Sequence, residues 1–272
     1  MKRVPVLVAL SYLVMVAVNA LANILPIGGM NTGAVSDSYP NLFAPAGITF
    51  SIWAFMYLLL ALHTLYQFTS KHKETLDTVG LLFALSCVAN SLWIFSWHYH
   101  KIGLSVVLML CILALLIRIN LIIQTMKGDR MFVWAVRIPF SVYLGWITVA
   151  TIANITTLLV SAQFTGFSIP EPVWTVVVLV VGVAIGLAWA YRTKDKAYLI
   201  TLIWAYTGIL IKHTSQEGFA SQYMMVIVAT CLALAVFVGC LGLFFKQQKS
   251  MKKNKEQDGR TLLTHQKADG RM

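Results

Sequence analysis

Trp53 and Tyr57, Trp93 and Trp97, and the series Tyr143, Trp146, Ala150 and Asn154 stand three or four residues apart. Side chains at those spacings line one face of a helix. A face of indoles and phenols does no covalent chemistry; it stacks on flat apolar molecules. Asn90 falls three residues before Trp93, so this stripe and the one ending at Asn154 each carry an amide as well. Ahead of Trp53 runs Pro40-Asn41-Leu42-Phe43-Ala44-Pro45-Ala46-Gly47, followed by Phe50. A two-proline loop of this kind reads as a lid, and the stripe behind it as one wall of a pocket. The competing reading is structural: aromatics anchor helices at membrane interfaces, and asparagines bond across helix contacts because an unpaired amide in hydrocarbon is costly. On spacing alone the two readings stand level.

Other chemistry finds little support. The apolar segments hold no carboxylate pair, no nucleophile beside a base and no glycine-rich phosphate loop, so no enzyme is expected. Every Asp and Glu lies in a loop, at a segment edge or in the tail, which argues against an ion- or proton-coupled transporter. His98, His100 and Lys101 are read as a solvated interfacial group and not as haem ligands, and Lys212 with His213 as a snorkelling pair. Cys87, Cys111, Cys231 and Cys240 sit in apolar segments without CxxC spacing. They are read as small packing residues, with neither disulfide nor metal expected.

The chain that positions these stripes is 58% hydrophobic and 11% charged, with a mean hydropathy of +0.76. A soluble domain cannot hide that much apolar surface, so the expected class is an all-α, polytopic membrane protein. No segment alternates apolar and polar as a barrel strand does. Eight spans are read, at about 4–24, 46–68, 77–98, 103–124, 138–160, 173–191, 197–212 and 223–245. The seventh is the shortest, with 15 uncharged residues from Ala197 to Ile211, against roughly 17–25 for a full crossing. The run from Val4 to Leu25 is too long for a signal-peptide core and is read as an uncleaved first span.

Basic residues then orient the chain. Lys2 and Arg3 precede span 1, and Lys71 and Lys73 follow span 2. Lys127, Arg130 and Arg137 lie between spans 4 and 5, and Arg192, Lys194 and Lys196 follow span 6. Lys246, Lys249, Lys252, Lys253 and Lys255 follow span 8, whereas the alternate loops carry only Lys101 and Lys212. This alternation predicts a cell-membrane protein with both termini in the cytoplasm. The net charge of +11 is thus a topology signal, and scattered short basic loops exclude a nucleic-acid partner. Residues 246–272 are read as a disordered basic tail, able to meet anionic lipid headgroups. The long outer connection Pro26–Pro45 is read as functional. Gly182 and Gly186 form a GxxxG, which permits close helix packing and leaves a homodimer open.

Three of these segments together resemble the TspO/MBR family, the tryptophan-rich sensory or translocator proteins related to the peripheral benzodiazepine receptor. Pro40, Pro45, Trp53 and Tyr57 match its proline loop and second helix. Asn90 and Trp93 match its third helix, and Tyr143-Leu144, Trp146, Ala150 and Asn154 its fifth. The likeness covers about residues 1–160. Departures are Ala44 in place of the first of two paired prolines, Leu42 at the loop tryptophan and Val142 at the fifth-helix proline. The loop's earlier tryptophan-tyrosine pair is missing, and spans 6–8 have no counterpart in the five-helix pattern.

The resemblance implies a five-helix bundle at 1–160 with a pocket beneath the first outer loop. Three additional helices would follow at 161–245, and the tail at 246–272. It implies ligand-binding roles for Pro45, Trp53, Tyr57, Asn90, Trp93, Trp97, Tyr143, Trp146, Ala150 and Asn154. The partner would be a flat hydrophobic small molecule, tetrapyrrole- or sterol-like, with no resident cofactor, in a sensing or transport-related role. The rivals are a coupled transporter and a structural or regulatory membrane subunit that binds nothing.

Overall fold

A computed structural model describes residues 3–25, 27–69 and 73–268, and over them the chain is helical with no strand. Lys2, Lys71 and Pro26, which entered the topology and loop readings, lie outside the described residues, as do the side chains of Lys73 and of the tail lysines from 252 onward. The long helices are α1 (Arg3–Ile24), α3 (Ile52–Thr69), α4 (Lys73–His98), α5 (Ile102–Thr125), α7 (Ile138–Ser161), α8 (Glu171–Thr193), α9 (Lys196–Thr214) and α10 (Met224–Ala268). Two short ones intervene: α2 (Thr32–Asp37) in the first loop, and α6 (Arg130–Phe132), which passes through a π-helical turn at Val133–Arg137 into α7. Local chemistry sets the starts. Asn31, Asp129 and Asp195 each accept a hydrogen bond from a backbone N–H in the first turn of α2, α6 and α9.

Seven helices are long and apolar enough to cross a membrane: α1, α3, α4, α5, α7, α8 and the first part of α10. The expected eighth, at 197–212, forms as α9 but is less apolar than the others. Its position explains this. It lies between α7 and α10, so its polar groups find protein partners: Tyr198 Oη donates to Thr148 Oγ1 at 3.3 Å, and Tyr206 Oη to the Leu179 carbonyl at 2.9 Å. Polar groups bonded within the protein are tolerated on its buried face, while Ile200, Trp204 and Ile211 keep its exposed face apolar. Nineteen residues still make it about 28 Å long, and it runs from one end of the bundle to the other. At its start Asp195 accepts a hydrogen bond from Ser141 at the head of α7; at its end His213 Nε2 bonds the Leu42 carbonyl in the first loop. Burial raises the Asp195 carboxyl above its usual value, against the pull of the Ser141 hydroxyl and the α9 amides.

The helices form two groups. In the first, α4 packs on α1 and α5, α5 on α7, and α3 on α1 and α7. In the second, α8, α9 and α10 pack on one another and join the first group mainly through α7 and α9. Gly182 and Gly186 serve that second group internally. A Cβ on Gly182 would stand 2.4 Å from Tyr206 Oη, and one on Gly186 2.4 Å from Leu202 Cδ1. The GxxxG face is therefore covered by α9 of the same chain.

Helix α10 extends to Ala268, with no proline to interrupt it. One expectation changes. Cys111 and Cys231 are exposed, unlike Cys87 and Cys240, so only the latter two act as interior packing residues.

Candidate ligand-binding site

The first loop is a folded cap. Leu42, Phe43 and Ala44 are buried, as is Pro45. Asn41 shapes the turn: its Oδ1 accepts from Phe43 N at 3.2 Å and its Nδ2 donates to the Tyr39 carbonyl at 3.0 Å. Helix α4 holds the cap from below. The His98 ring bonds the Ile27 carbonyl at 3.0 Å and Thr32 Oγ1 at 3.1 Å, and Trp97 Nε1 donates to the Thr32 carbonyl at 3.2 Å. His98 is thus buried with both ring nitrogens engaged, not solvated as the sequence suggested. His100 Nδ1 meets Tyr39 Oη at 2.9 Å.

The later helices hold the same cap from the side. Glu171 accepts from Leu42 N at 3.2 Å, Ala46 N donates to the Gly208 carbonyl at 3.0 Å, and Trp204 Nε1 donates to the Thr49 carbonyl at 3.0 Å. Lys212 is paired with Asp37 at 3.0 Å instead of snorkelling freely. None of these tethers was read from the sequence. They join residues more than a hundred positions apart, and no local periodicity encodes such a pairing.

Beneath the cap the three stripes converge. Trp53 stacks on Trp93 with centroids 6.2 Å apart and planes at 24°, and Trp93 on Trp97 at 5.7 Å and 21°. Trp146 meets Trp53 edge-on at 6.1 Å and 82°, and Phe50 meets Trp146 likewise at 6.0 Å. Pro45, Trp53, Trp93, Trp97, Trp146, Ala150 and Asn154 all line one cavity of about 50 Å³. A neighbouring groove of about 290 Å³ between α1 and α3 shares Thr32, Phe50, Trp53 and Trp93 with it, and adds Asn19, Asn23 and Tyr57. Tyr57 therefore faces the groove. Asn90 and Tyr143 line neither space.

The two asparagines are engaged by the protein itself. Asn154 Oδ1 accepts from Trp93 Nε1 at 3.0 Å, and its Nδ2 donates to Ser105 Oγ at 2.9 Å. Asn90 Oδ1 accepts from Asn19 Nδ2 at 2.8 Å, and its Nδ2 donates to Tyr143 Oη at 3.4 Å. Both amides tie helices together and orient the indoles. Two groups of the candidate site are left over: the indole N–H of Trp146, buried beside the cavity, and the hydroxyl of Tyr57 at the groove, neither with a partner among the described residues. A buried donor without an acceptor is uncommon in folded proteins. Asn19, which sequence reading passed over, was marked by its place as an amide inside an apolar run.

No cluster of His, Cys, Asp or Glu fit to hold a metal occurs among the described residues. Comparison with known proteins gives one relation. The family model described as TSPO-like protein matches residues 5–244, well beyond residue 160 and through α8, α9 and the apolar part of α10. Neither a curated protein nor a solved structure matches the chain.

Proposed function

Since this helical membrane protein belongs to the TSPO-like protein family, we propose that it binds a flat hydrophobic small molecule between Trp53, Trp93 and Trp146, as a sensor or transport-related protein of the cell membrane. The carrying observation is that indoles from three helices meet at one cavity, with the unpartnered N–H of Trp146 beside it. The ligand stacks on the indoles and presents an acceptor atom to Trp146, while Asn90 and Asn154 keep their structural bonds. A tetrapyrrole or sterol is far larger than 50 Å³. Half-buried Trp53 lines both the cavity and the 290 Å³ groove, with Thr32, Phe50 and Trp93, so movement of these shared side chains joins the two spaces. The chain then accepts ligand from the bilayer side, between α1 and α3.

Porphyrin titration of the purified protein in detergent, followed by quenching of tryptophan fluorescence, tests the reading. Ala150 lies one turn from Trp146 on the cavity wall, so Ala150→Phe should block binding and Ala150→Gly should leave it intact. Trp146→Ala removes a stacking wall worth about 1–3 kcal/mol, roughly a 5- to 150-fold loss of affinity. Unchanged affinity in both Ala150→Phe and Trp146→Ala would make the indoles packing only.

A further inference from the structure

A second cavity, of about 690 Å³, lies apart from the tryptophan cluster, where the cap meets the end of α7 and the start of α8. Its walls come from Pro40–Phe43, from Leu159 and Phe164, and from Trp174 and Val178, and most of them are apolar. The volume suits a drug-sized molecule. Glu171 is the one charged residue in its lining.

The state of that carboxylate is informative. One oxygen accepts from Leu42 N, which tethers the cap. Glu171 is exposed, so its other oxygen is open to an incoming group; no ion pair among the described residues occupies it, the one found there joining Lys212 to Asp37. The start of α8 favours a negative charge there through its aligned N–H groups, but supplies no counter-ion. Aromatic faces stand close by. Trp174 is fixed by donating its indole N–H to the Gly166 carbonyl at 2.7 Å, and Phe164 packs against it at 6.3 Å. The loop that joins α7 to α8 holds Gln163, Phe167 and Ser168 at positive φ (54°, 53° and 64°), a costly backbone for side-chain-bearing residues that persists where the surroundings enforce it.

An exposed carboxylate with an open oxygen, on the wall of a largely apolar cavity that Phe164 and Trp174 also line, matches an ammonium group on an apolar body. We propose that this cavity binds a protonated amphiphilic amine, its ammonium on Glu171 and its body among Leu159, Phe164, Trp174 and Val178. Asn41 borders both cavities, but none of the indoles around Trp146 lines this one, so a test on Glu171 and Val178 reads it separately from the first.

Three probes of one shape separate charge from apolarity: 1-pyrenemethylammonium, 1-pyrenemethanol and 1-pyreneacetate, titrated into the detergent-purified protein by energy transfer from tryptophan. Wild type should bind the cation about tenfold more tightly than the alcohol, and the anion most weakly. In Glu171→Gln the amide oxygen can still accept from Leu42 N, so the fold should hold while cation and alcohol become equal. Val178→Phe fills the cavity with the carboxylate intact and should weaken the cation about tenfold or more. Ala150→Phe, in the other cavity, should leave the cation preference standing. Equal affinities in wild type, or a preference surviving Glu171→Gln, would overturn the proposal. Displacement of the cation by phosphatidylethanolamine and not by phosphatidylglycerol would support it and identify a lipid headgroup as the source of the ammonium.

Discussion

Trp146 and Asn154 stand eight residues apart on α7, yet they do opposite work. Asn154 is fully engaged with Trp93 and Ser105, so it contributes to stability. Asn154→Ala leaves a buried indole N–H and a hydroxyl with poorer partners, at a cost of about 1–2 kcal/mol, tempered by the membrane setting. The expected result is a lower thermal midpoint in detergent together with a red shift of tryptophan emission as Trp93 loses its anchor. Trp146 has an N–H with nothing to lose. Trp146→Phe keeps a smaller aromatic wall and removes the donor together with the ring that carries it, so some stability is lost to the space left behind, and porphyrin affinity should fall about tenfold or more, one hydrogen bond accounting for about tenfold. If Trp146→Phe bound porphyrin as wild type does, the N–H plays no part in recognition. These roles were half legible. Spacing placed both residues on one face, but which polar group is satisfied depends on Ser105 and on Trp93, which neighbouring helices supply.

Among the elements, α9 carries the least expected role. Its apolarity falls short of its neighbours' because the face it packs on α7 and α10 carries tyrosines and threonines bonded within the protein, and its far half presses on the base of the cap. Gly208 permits this approach: a Cβ there would stand 2.0 Å from Thr49 Oγ1, and Thr49 is itself buried. Gly208→Ala should therefore push α9 off the turn at Gly47–Ser51 at a cost of about 1–3 kcal/mol. Phe50 in that turn meets Trp146, so the substitution should also weaken porphyrin binding without touching a lining residue. A Gly208→Ala protein with wild-type thermal midpoint and affinity would show that α9 and the cap are mechanically independent. Sequence reading gave the later helices as three additions after the bundle; none of their residues lines the tryptophan cavity. It did not see that they hold the lid.

For the whole molecule, the number of crossings decides where the ends lie. Eight crossings return the C-terminus to the side of the N-terminus; seven separate them. Basic residues between alternate spans and the end-to-end run of α9 both favour eight. A reporter fused after Met272 should accordingly read as cytoplasmic, as should one fused ahead of Met1. An extracytoplasmic C-terminal reporter beside a cytoplasmic N-terminal one would remove α9 from the crossings. What the sequence determined by itself is what composition and period can carry. Apolar runs of membrane length require helices because backbone groups in lipid must be bonded internally. Residues three and four apart must share a helix face, and the motifs on those faces identified the family. What only the tertiary structure decided is which faces meet: Asn90 with Asn19 and Tyr143, Asn154 with Trp93, Glu171 and His213 with Leu42. Those partners lie 53 to 171 residues apart along the chain. Periodicity fixes where a side chain points around its own axis and carries no information about which helix stands opposite.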